Sequence, residues 1–232
     1  MKTRTLLGLA LVIACIITAS CGSNNDEGYQ IGGKSIAIPS PDAALVEISD
    51  TLRPMFDVFV PSVNRMITVF LLEDELPAFL DQSVESGLSR YAMVEVTTQI
   101  EPMNVSEDDF REYADAVKLS LAGGMDSLAD QTFDEITERL NNIDPGALGP
   151  ENGGVIQLGT FFEKKDIYGA GLVMTVKFGE STVVMGVCMA EVRVKGKLIH
   201  NYLYRVYEDE STIDWLKTTS ERWADSILVL NQ

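Results

Sequence analysis

The stretch between residues 155 and 230 restricts the fold more than any other part of the chain. Four segments rich in strand-forming residues follow one another here, and a segment with helical periodicity comes after them. The turn Lys195-Gly196 is so short that the strands on either side of it must pair antiparallel. We therefore expect an antiparallel meander closed by a helix from about Thr212 to Leu230. The predicted strands are Val155 to Glu163, Gly171 to Phe178, Ser181 to Val194 and Lys197 to Tyr207.

The closing helix has an apolar face with one polar interruption, Ser220. Ser211 is its expected N-cap. Trp215 lies eight positions before Trp223 on this helix. It either packs beside the core or stays partly exposed as a contact for a partner, so we take it as a candidate binding residue. The side chains expected to be buried are those of Ile213, Leu216, Trp223, Ile227 and Leu230.

The residues before the meander fall into a block of strands and then a block of helices. Gly32-Gly33 predicts the turn of an N-terminal hairpin. Ser106 and Asp109 resemble a capping box, and Asp126 starts a second helix whose apolar stripe ends at Ile143. Further predicted elements are strands over Leu45 to Ile48, Arg65 to Leu72 and Tyr91 to Thr98, short helices after Asp50 and over Leu76 to Leu80, and a loop over Asp144 to Gly154.

Strands and helices thus come in separate runs, which is typical of the α+β class. We expect a single α+β domain over residues 29–232, with a mostly antiparallel sheet covered by helices.

The first 21 residues have the order of an export signal. Lys2 and Arg4 precede an apolar run from Leu6 to Ile17, and small residues then lead to Cys21. The run is about a dozen residues long, whereas a membrane-spanning helix needs about 20. This order resembles the signal of bacterial lipoproteins, in which the cysteine becomes an acylated N-terminus. The alternatives are an ordinary secretory leader or acylation at Cys15, which has a similar approach.

The resemblance to lipoproteins implies a location as well as a modification. It implies a signal peptide over residues 1–20, lipidation of Cys21 with fatty acids such as palmitate, and a tether over residues 21–28. Gly22, in place of an aspartate, is similar to the enterobacterial sorting pattern for the outer membrane. We therefore expect a periplasm-facing protein of the cell envelope. The seven residues after Cys21 reach at most about 25 Å, so the folded part should lie close to the membrane.

The charge of the chain limits its partners. Its net charge is −17; without Lys2 and Arg4, 16 of the 18 basic side chains remain against 35 acidic ones, which gives −19. A surface this acidic repels nucleic-acid phosphates and anionic lipid headgroups. We therefore expect no nucleic acid as partner, and membrane attachment through the lipid anchor rather than through a second, electrostatic contact.

The side chains that could carry chemistry are few. Cys188 lies in an apolar segment and is predicted to be a buried core residue, the alternative being a reactive thiol. His200 is the one histidine, and it shares a strand face with Leu198, Tyr202 and Tyr204. One histidine cannot form a multi-histidine zinc site, and no Gly-x-Ser-x-Gly motif accompanies it. A structural role, ligand binding and catalysis stay open for His200, which is therefore a candidate binding residue.

Acidic clusters are the remaining candidates for a metal site. They are Glu73-Asp74-Glu75, Glu107-Asp108-Asp109 and Glu208-Asp209-Glu210. None has the twelve-residue pattern of a calcium loop, and each precedes or opens a predicted helix, where the helix dipole favours carboxylates. We expect no metal and no cofactor.

The second half of the chain also resembles the PsbP-like superfamily. The resemblance rests on Val194-Lys195-Gly196-Lys197, on Tyr202-Leu203-Tyr204, on Trp215, Trp223 and Ile227 in the terminal helix, and on Ile36-Ala37-Ile38-Pro39 followed by Arg65 to Phe70. It covers most of residues 28 to 231. It implies an antiparallel sheet between helices and an accessory or binding role rather than an enzymatic one.

Three functions follow from these observations. The first is a non-enzymatic accessory or binding module, anchored through Cys21, with an envelope protein as a possible partner. The second is a domain that carries a small ligand or lipid in an enclosed apolar pocket. The third is a hydrolase that uses an acid pair or His200, and it would need a cleft with perturbed pKa values.

Overall fold

A computed structural model describes residues 28–77, 88–143 and 149–232. These residues form nine strands and four helices. The strands are β1 (Tyr29–Ile31), β2 (Lys34–Ile36), β3 (Leu45–Glu47), β4 (Asn64–Leu72), β5 (Arg90–Thr97), β6 (Glu151–Lys164), β7 (Ile167–Phe178), β8 (Ser181–Val194) and β9 (Lys197–Val206). The helices are α1 (Pro54–Asp57), α2 (Glu107–Ala122), α3 (Asp126–Ile143) and α4 (Glu210–Leu230).

Strands β1 and β2 form a hairpin, and the other seven described strands form one antiparallel sheet in the order β3-β4-β5-β9-β8-β7-β6. The prediction of a single α+β domain with helices on an antiparallel sheet is confirmed. The meander of β6 to β9 and its closing helix are also present. Among the described residues, none of the helices has the length and apolar character needed to cross a bilayer.

Two strands of the meander are longer than predicted. β6 starts at Glu151 rather than Val155. A register shift between Asn152 and Gly154 lets the strand include the two glycines, and Gly154 there has a φ of +121°. The predicted loop is therefore wrong for residues 151–154, and its residues 144–148 lie outside the described chain. β7 continues through Gly169 and Gly171, because the rings of Phe162 and Phe161 occupy the space where their Cβ atoms would be.

Helix α4 packs on one face of the sheet, which we call the α4 face. Leu216, Trp223 and Ile227 are buried there against a cluster that includes Cys188 and Leu203. The prediction that Leu230 is buried is wrong: it is 57% exposed, at the last turn of the helix. The predicted cap is also wrong, because Asp209 rather than Ser211 is the N-cap, and its side chain accepts the Ser211 N–H.

Helix α2 packs on the opposite face, which we call the α2 face. Phe110 and Ala114 are buried there against Tyr168, Ala170 and Leu198. The predicted capping box is confirmed, since Ser106 accepts the N–H of Asp109 and Asp109 accepts that of Ser106.

Helix α3 lies along the edge strand β6 and buries Ile136. The apolar stripe predicted for it stops short of its end, because Ile143 is 69% exposed. The short helix predicted after Asp50 is α1; Asp50 does not cap it, and instead makes an ion pair of 2.7 Å with Arg53. The predicted helix over Leu76 to Leu80 is helical at residues 76–77, and its residues 78–80 lie outside the described chain.

Several turns gather at one end of the sheet, which we call the turn end. The β8–β9 turn at Lys195-Gly196 lies there, and the N–H of Val105 donates to the carbonyl of Gly196. The β1–β2 turn joins the same group, because Gly32 donates to the Glu101 carboxylate over 3.1 Å. Buried Lys197 holds the loop after β5 by donating to the carbonyls of Glu101, Pro102 and Met103 over 3.0, 3.2 and 2.8 Å.

Candidate functional site

A row of ionisable side chains crosses the centre of the α2 face. Glu95 of β5 and Glu191 of β8 are both direct cross-strand partners of His200 on β9. Side chains of such partners point to the same face of a sheet, so the histidine lies between two carboxylates. Its Nδ1 is 2.5 Å from Oε2 of Glu191.

The hydrogen bonds around this row fix the protonation of His200. Asn64 donates its amide Nδ2 to Glu95 over 2.8 Å, which leaves its Oδ1 to accept the Thr97 hydroxyl over 2.9 Å. The Thr97 hydroxyl donates its hydrogen to Asn64, so its oxygen accepts from His200 Nε2, 2.9 Å away. With Nδ1 on the Glu191 carboxylate and Nε2 on this acceptor, the hydrogen-bond network assigns a proton to each ring nitrogen, which is the imidazolium form.

The electrostatics of the row favour the same charge state. Burial by itself would lower the pKa of His200, but the charge of Glu191, the hydrogen bond to it and the charge of Glu95 outweigh burial and raise that pKa. Burial raises the pKa of Glu95, although the Asn64 hydrogen bond and the His200 charge act against it. Burial and the charge of Glu191 also raise the pKa of Tyr113, which makes a side-chain hydrogen bond to Glu191.

The row is enclosed by the fold. Glu95, Glu191 and His200 are each 3% exposed, and half-buried Tyr113 of α2 lies beside the histidine with 6.4 Å between ring centroids. Both ring nitrogens of His200 already have protein partners. In this arrangement the row links three strands and helix α2 through charge-assisted hydrogen bonds, and it offers no free atom of His200 to a ligand.

A tyrosine cluster continues along the α2 face. The alternation that places His200 on this face also places Tyr202 and Tyr204 there, as predicted. The rings of Tyr91 and Tyr204 are stacked at a centroid distance of 4.4 Å, and Tyr202 lies 6.3 Å from Tyr204. Sequence reasoning missed Tyr91, Glu95 and Glu191 as members of this site. The signal for the two acids was a single carboxylate inside an apolar strand, as in Val94-Glu95-Val96 and Ala190-Glu191-Val192.

Trp215 occupies a different part of the surface. It is half-buried and packs against the core of the α4 face. The guanidinium carbons of Arg90 and Arg205, which are cross-strand partners, each lie 5.2 Å from its ring centroid. Trp215 belongs to α4 and His200 faces α2, so the structure does not bring the two candidate binding residues together.

The two arginines beside Trp215 have only weak partners of their own. Arg90 is 3.9 Å from a carboxylate oxygen of Asp42, and Arg205 is 3.6 Å from one of Glu208, whose side chain is mostly exposed. Both separations are longer than that of a hydrogen-bonded ion pair, and the pair with exposed Glu208 contributes little. Trp215, Arg90 and Arg205, which we call the Trp215 surface, therefore combine a flat apolar ring with two cations available to an anionic partner.

The other predicted site residues have clear positions or lie outside the described chain. Cys188 is fully buried, as predicted, and burial raises the pKa of its thiol to about 12. Cys21 lies outside the described residues. Within residues 28–77, 88–143 and 149–232, no group of three histidine, cysteine, aspartate or glutamate side chains is placed to hold a metal ion.

Two open depressions lie on the described surface. One, of about 630 Å³, runs between the outer side of α4 and the loop at Pro39. The other, of about 600 Å³, lies between α3 and the start of β6 and includes Asp130 and Asp134. Neither includes His200 or Trp215.

Comparisons with known proteins assign no family. No protein-family model matches the chain, and a search of curated proteins finds no match. Among solved structures, the chain is similar to the Ran-binding protein Mog1p of Saccharomyces cerevisiae, with 12% identity over 84% of this chain and 87% of that one. The TM-score of this match is 0.31, too low to relate the two folds or functions.

Proposed function

We propose that this protein is a bacterial envelope lipoprotein: a non-enzymatic accessory or binding module held at a membrane through acylated Cys21. The observation that carries the proposal is the order of the first residues, in which basic residues, an apolar run and small residues lead directly to Cys21. A polar segment of seven residues then leads to the first strand.

The way the chain enters the domain supports an anchored module. β1 starts at Tyr29, whose hydroxyl donates to Glu47 of the main sheet. Ile31 and Ile36 of the hairpin are fully buried in the core of the α4 face. An anchor at Cys21 would therefore pull on a hairpin that is fixed to the domain, and the domain would stay within the reach of the tether, at most about 25 Å.

The positions of the two candidate binding residues favour binding over catalysis. His200 is 3% exposed and lines neither of the two depressions on the described surface, so no substrate path to it supports the hydrolase. The Trp215 surface carries a partly exposed ring and two weakly paired arginines on an otherwise acidic protein. We propose that this surface binds an acidic segment of an envelope protein, whose carboxylates would replace Asp42 and Glu208 as partners of the arginines.

The anchor is tested by mass spectrometry of the N-terminal peptide of the full chain expressed in bacteria, together with membrane fractionation. We expect an acylated Cys21 and recovery with membranes. Cys21→Ala should abolish acylation, and Cys15→Ala is the matched control, which should leave it unchanged. An unmodified N-terminus, or a wild-type protein found in the cytosol, would refute the anchor.

The partner site is tested by cross-linking on intact cells followed by purification of the protein from solubilised membranes. We expect one stoichiometric protein partner, recovered about tenfold less well with Trp215→Ala because the ring and its cation–π contacts are lost. Phe59→Ala, which removes an exposed aromatic ring elsewhere on the domain, is the control and should keep the partner. A co-purifying small molecule without a protein partner would favour the carrier function instead.

A further inference from the structure

The chain enters the folded domain near the turn end, at the open end of the β1–β2 hairpin. Gly28 precedes β1, and a Cβ atom at this position would lie against Ser35 and Ile36 of the neighbouring strand. The next residue, Ala37, is held by Asn231, which accepts its N–H over 2.9 Å and donates to its carbonyl over 2.8 Å. The place where the tether joins the domain is therefore beside the last turn of α4.

Apolar side chains are exposed around this point. Val229 is 65% exposed and Leu230 is 57% exposed, and both line the depression of about 630 Å³ that Pro39 closes on the other side. Met103, in the loop held by Lys197 at the turn end, is 57% exposed. Core packing does not account for large aliphatic side chains that are exposed at one end of a domain.

The charges at the turn end differ from those of the whole chain. Lys34 and Lys195 are exposed there. Nearby acids are already paired: Lys164 binds Glu221 and Asp225 over 3.0 and 2.7 Å, and Arg65 binds Glu101 over 2.6 Å. The acidic cluster that opens α2 also lies at this end, where Lys165 pairs with Glu107 over 2.9 Å, Arg111 pairs with Asp108 over 3.0 Å, and Asp109 accepts from Ser106 in the capping box. The end is therefore close to neutral even though the chain carries −17.

The opposite end of the sheet is strongly acidic. The β7–β8 turn carries Glu180, and the segment after β4 carries Glu73-Asp74-Glu75. Glu208-Asp209-Glu210 joins β9 to α4 at the same end. Most of the excess negative charge thus lies far from the point where the tether joins, and anionic headgroups would repel this end.

The reach of the tether separates the two possible orientations. The ten residues of β9 span about 33 Å from the turn end to the acidic end. The tether joins at Tyr29, which pairs with Ile36 up to about 10 Å from the Gly32-Gly33 turn, so about 23 Å separates it from the acidic end. Its seven residues reach at most about 25 Å, so they would have to be almost fully extended for the acidic end to face the bilayer. The opposite orientation leaves the tether its conformational freedom and is therefore favoured.

We infer that the turn end is a lipid-contacting surface, in which Val229, Leu230 and Met103 enter the headgroup region while Lys34 and Lys195 meet anionic headgroups. This inference rests on the proposed lipid anchor at Cys21 and adds the orientation of the domain. The apolar side chains supply a second attachment beside the acyl chains, and the Trp215 surface of α4 is kept free for a partner. The contact of Lys34 and Lys195 with headgroups departs from the expectation that net charge alone gives, because the charges of this end nearly balance.

The test uses the full lipidated protein in phosphatidylethanolamine vesicles that contain phosphatidylglycerol and a lipid with a nitroxide on its headgroup. An environment-sensitive fluorophore is attached at Leu230→Cys or, as the matched control at the acidic end, at Glu180→Cys. Cys188 is fully buried and Cys21 is acylated, so neither should take the label. We expect the nitroxide to quench the label at position 230 several-fold more strongly than the label at position 180.

A second variant separates the surface from the anchor. With a label at Lys34→Cys, the change Val229→Asp with Leu230→Asp should lower quenching several-fold while acylation and the melting temperature stay unchanged. Equal quenching at positions 230 and 180 on an acylated protein would overturn the orientation and leave the anchor standing. An N-terminal peptide without fatty acid would overturn both.

Discussion

The two faces of the sheet are held by different physics. On the α4 face, Trp223, Leu216 and Ile227 pack against Cys188 and Leu203, and the contact is almost wholly apolar. On the α2 face, apolar packing around Phe110 and Leu198 stops at the row of Glu95, His200 and Glu191. The stability of the α4 face depends on the shape and apolar area of the packed side chains, whereas that of the α2 face depends on the protonation of the row. The faces should therefore respond differently to truncation and to pH.

The largest effect is expected for Trp223→Ala on the α4 face. The indole is 2% exposed, contacts Phe70 edge-on, and donates its Nε1–H to the carbonyl of Pro39 over 2.7 Å. Its removal leaves a large cavity and an unpaired carbonyl, and it should lower the free energy of unfolding by about 3–5 kcal/mol. Urea denaturation measures this. A loss that changes strongly between pH 5 and pH 8 would contradict the apolar account of this face.

The next effect is expected for Glu191→Gln on the α2 face. The substitution keeps the shape of the side chain but removes the charge that faces His200 at 2.5 Å, and it leaves one acceptor oxygen for both His200 and Tyr113. We expect a loss of about 2–3 kcal/mol at neutral pH, because a buried charge loses its partner. The control is Glu163→Gln, which changes an exposed acid on the same sheet and should cost much less. Equal losses would show that the row adds nothing beyond surface charge.

The pH dependence of stability should come from the α2 face. The pKa of His200 is raised in the folded state, so its contribution is present in full below about pH 6.5 and is lost as the pH rises through the folded-state value. The contribution of Glu95 to stability changes with pH in the same direction. Its raised pKa makes the carboxyl easier to protonate in the folded state than in the unfolded state, so stability falls as the pH rises. His200→Gln should flatten the slope of unfolding free energy between pH 6 and pH 8.

Cys188→Ala provides the matched comparison on the α4 face. Burial raises the pKa of this thiol to about 12, whereas a thiol in the unfolded chain ionises near about 8.5. The substitution should therefore leave the slope between pH 6 and pH 8 unchanged and reduce the loss of stability above about pH 8.5. If both variants flattened the same pH range, the assignment of the two titrations to the two faces would be wrong.

The sequence predicted the parts of this fold that depend on local patterns. Residues close together in sequence were enough to predict the meander turn at Lys195-Gly196, the capping box at Ser106 and the burial of Trp223. It did not predict the start of β6, because Gly153 and Gly154 are typical of loops and only the pairing with β7 makes a bulge of them.

The row of Glu95, His200 and Glu191 could not be predicted from the sequence for a related reason. Glu95 and His200 are over a hundred residues apart in sequence, and the register of three strands decides that they meet. Alternation along β9 correctly predicted the face of His200, but a period of two cannot predict which residue lies opposite on the next strand. The Trp215 surface could not be predicted either, because Arg90, which lies over the Trp215 ring, belongs to β5, far from α4 in sequence.

The smallest loss of stability is expected for substitutions at the N-termini of α2 and α4, the helices that cover the two faces. Ser106 accepts a hydrogen bond from the backbone of Asp109 at the start of α2, so Ser106→Ala should cost about 1 kcal/mol. Ser211 lies inside the first turn of α4 and donates its hydroxyl to Asp209, which is the actual cap, so Ser211→Ala should cost less than Ser106→Ala. Thermal denaturation of the two variants measures the difference. A larger loss for Ser211→Ala would mean that the serine caps α4, as the sequence predicted.

The α2 variant has a further consequence: a loosened α2 exposes Tyr113 and the row beneath it, so Ser106→Ala should also weaken the pH dependence that His200 gives to this face.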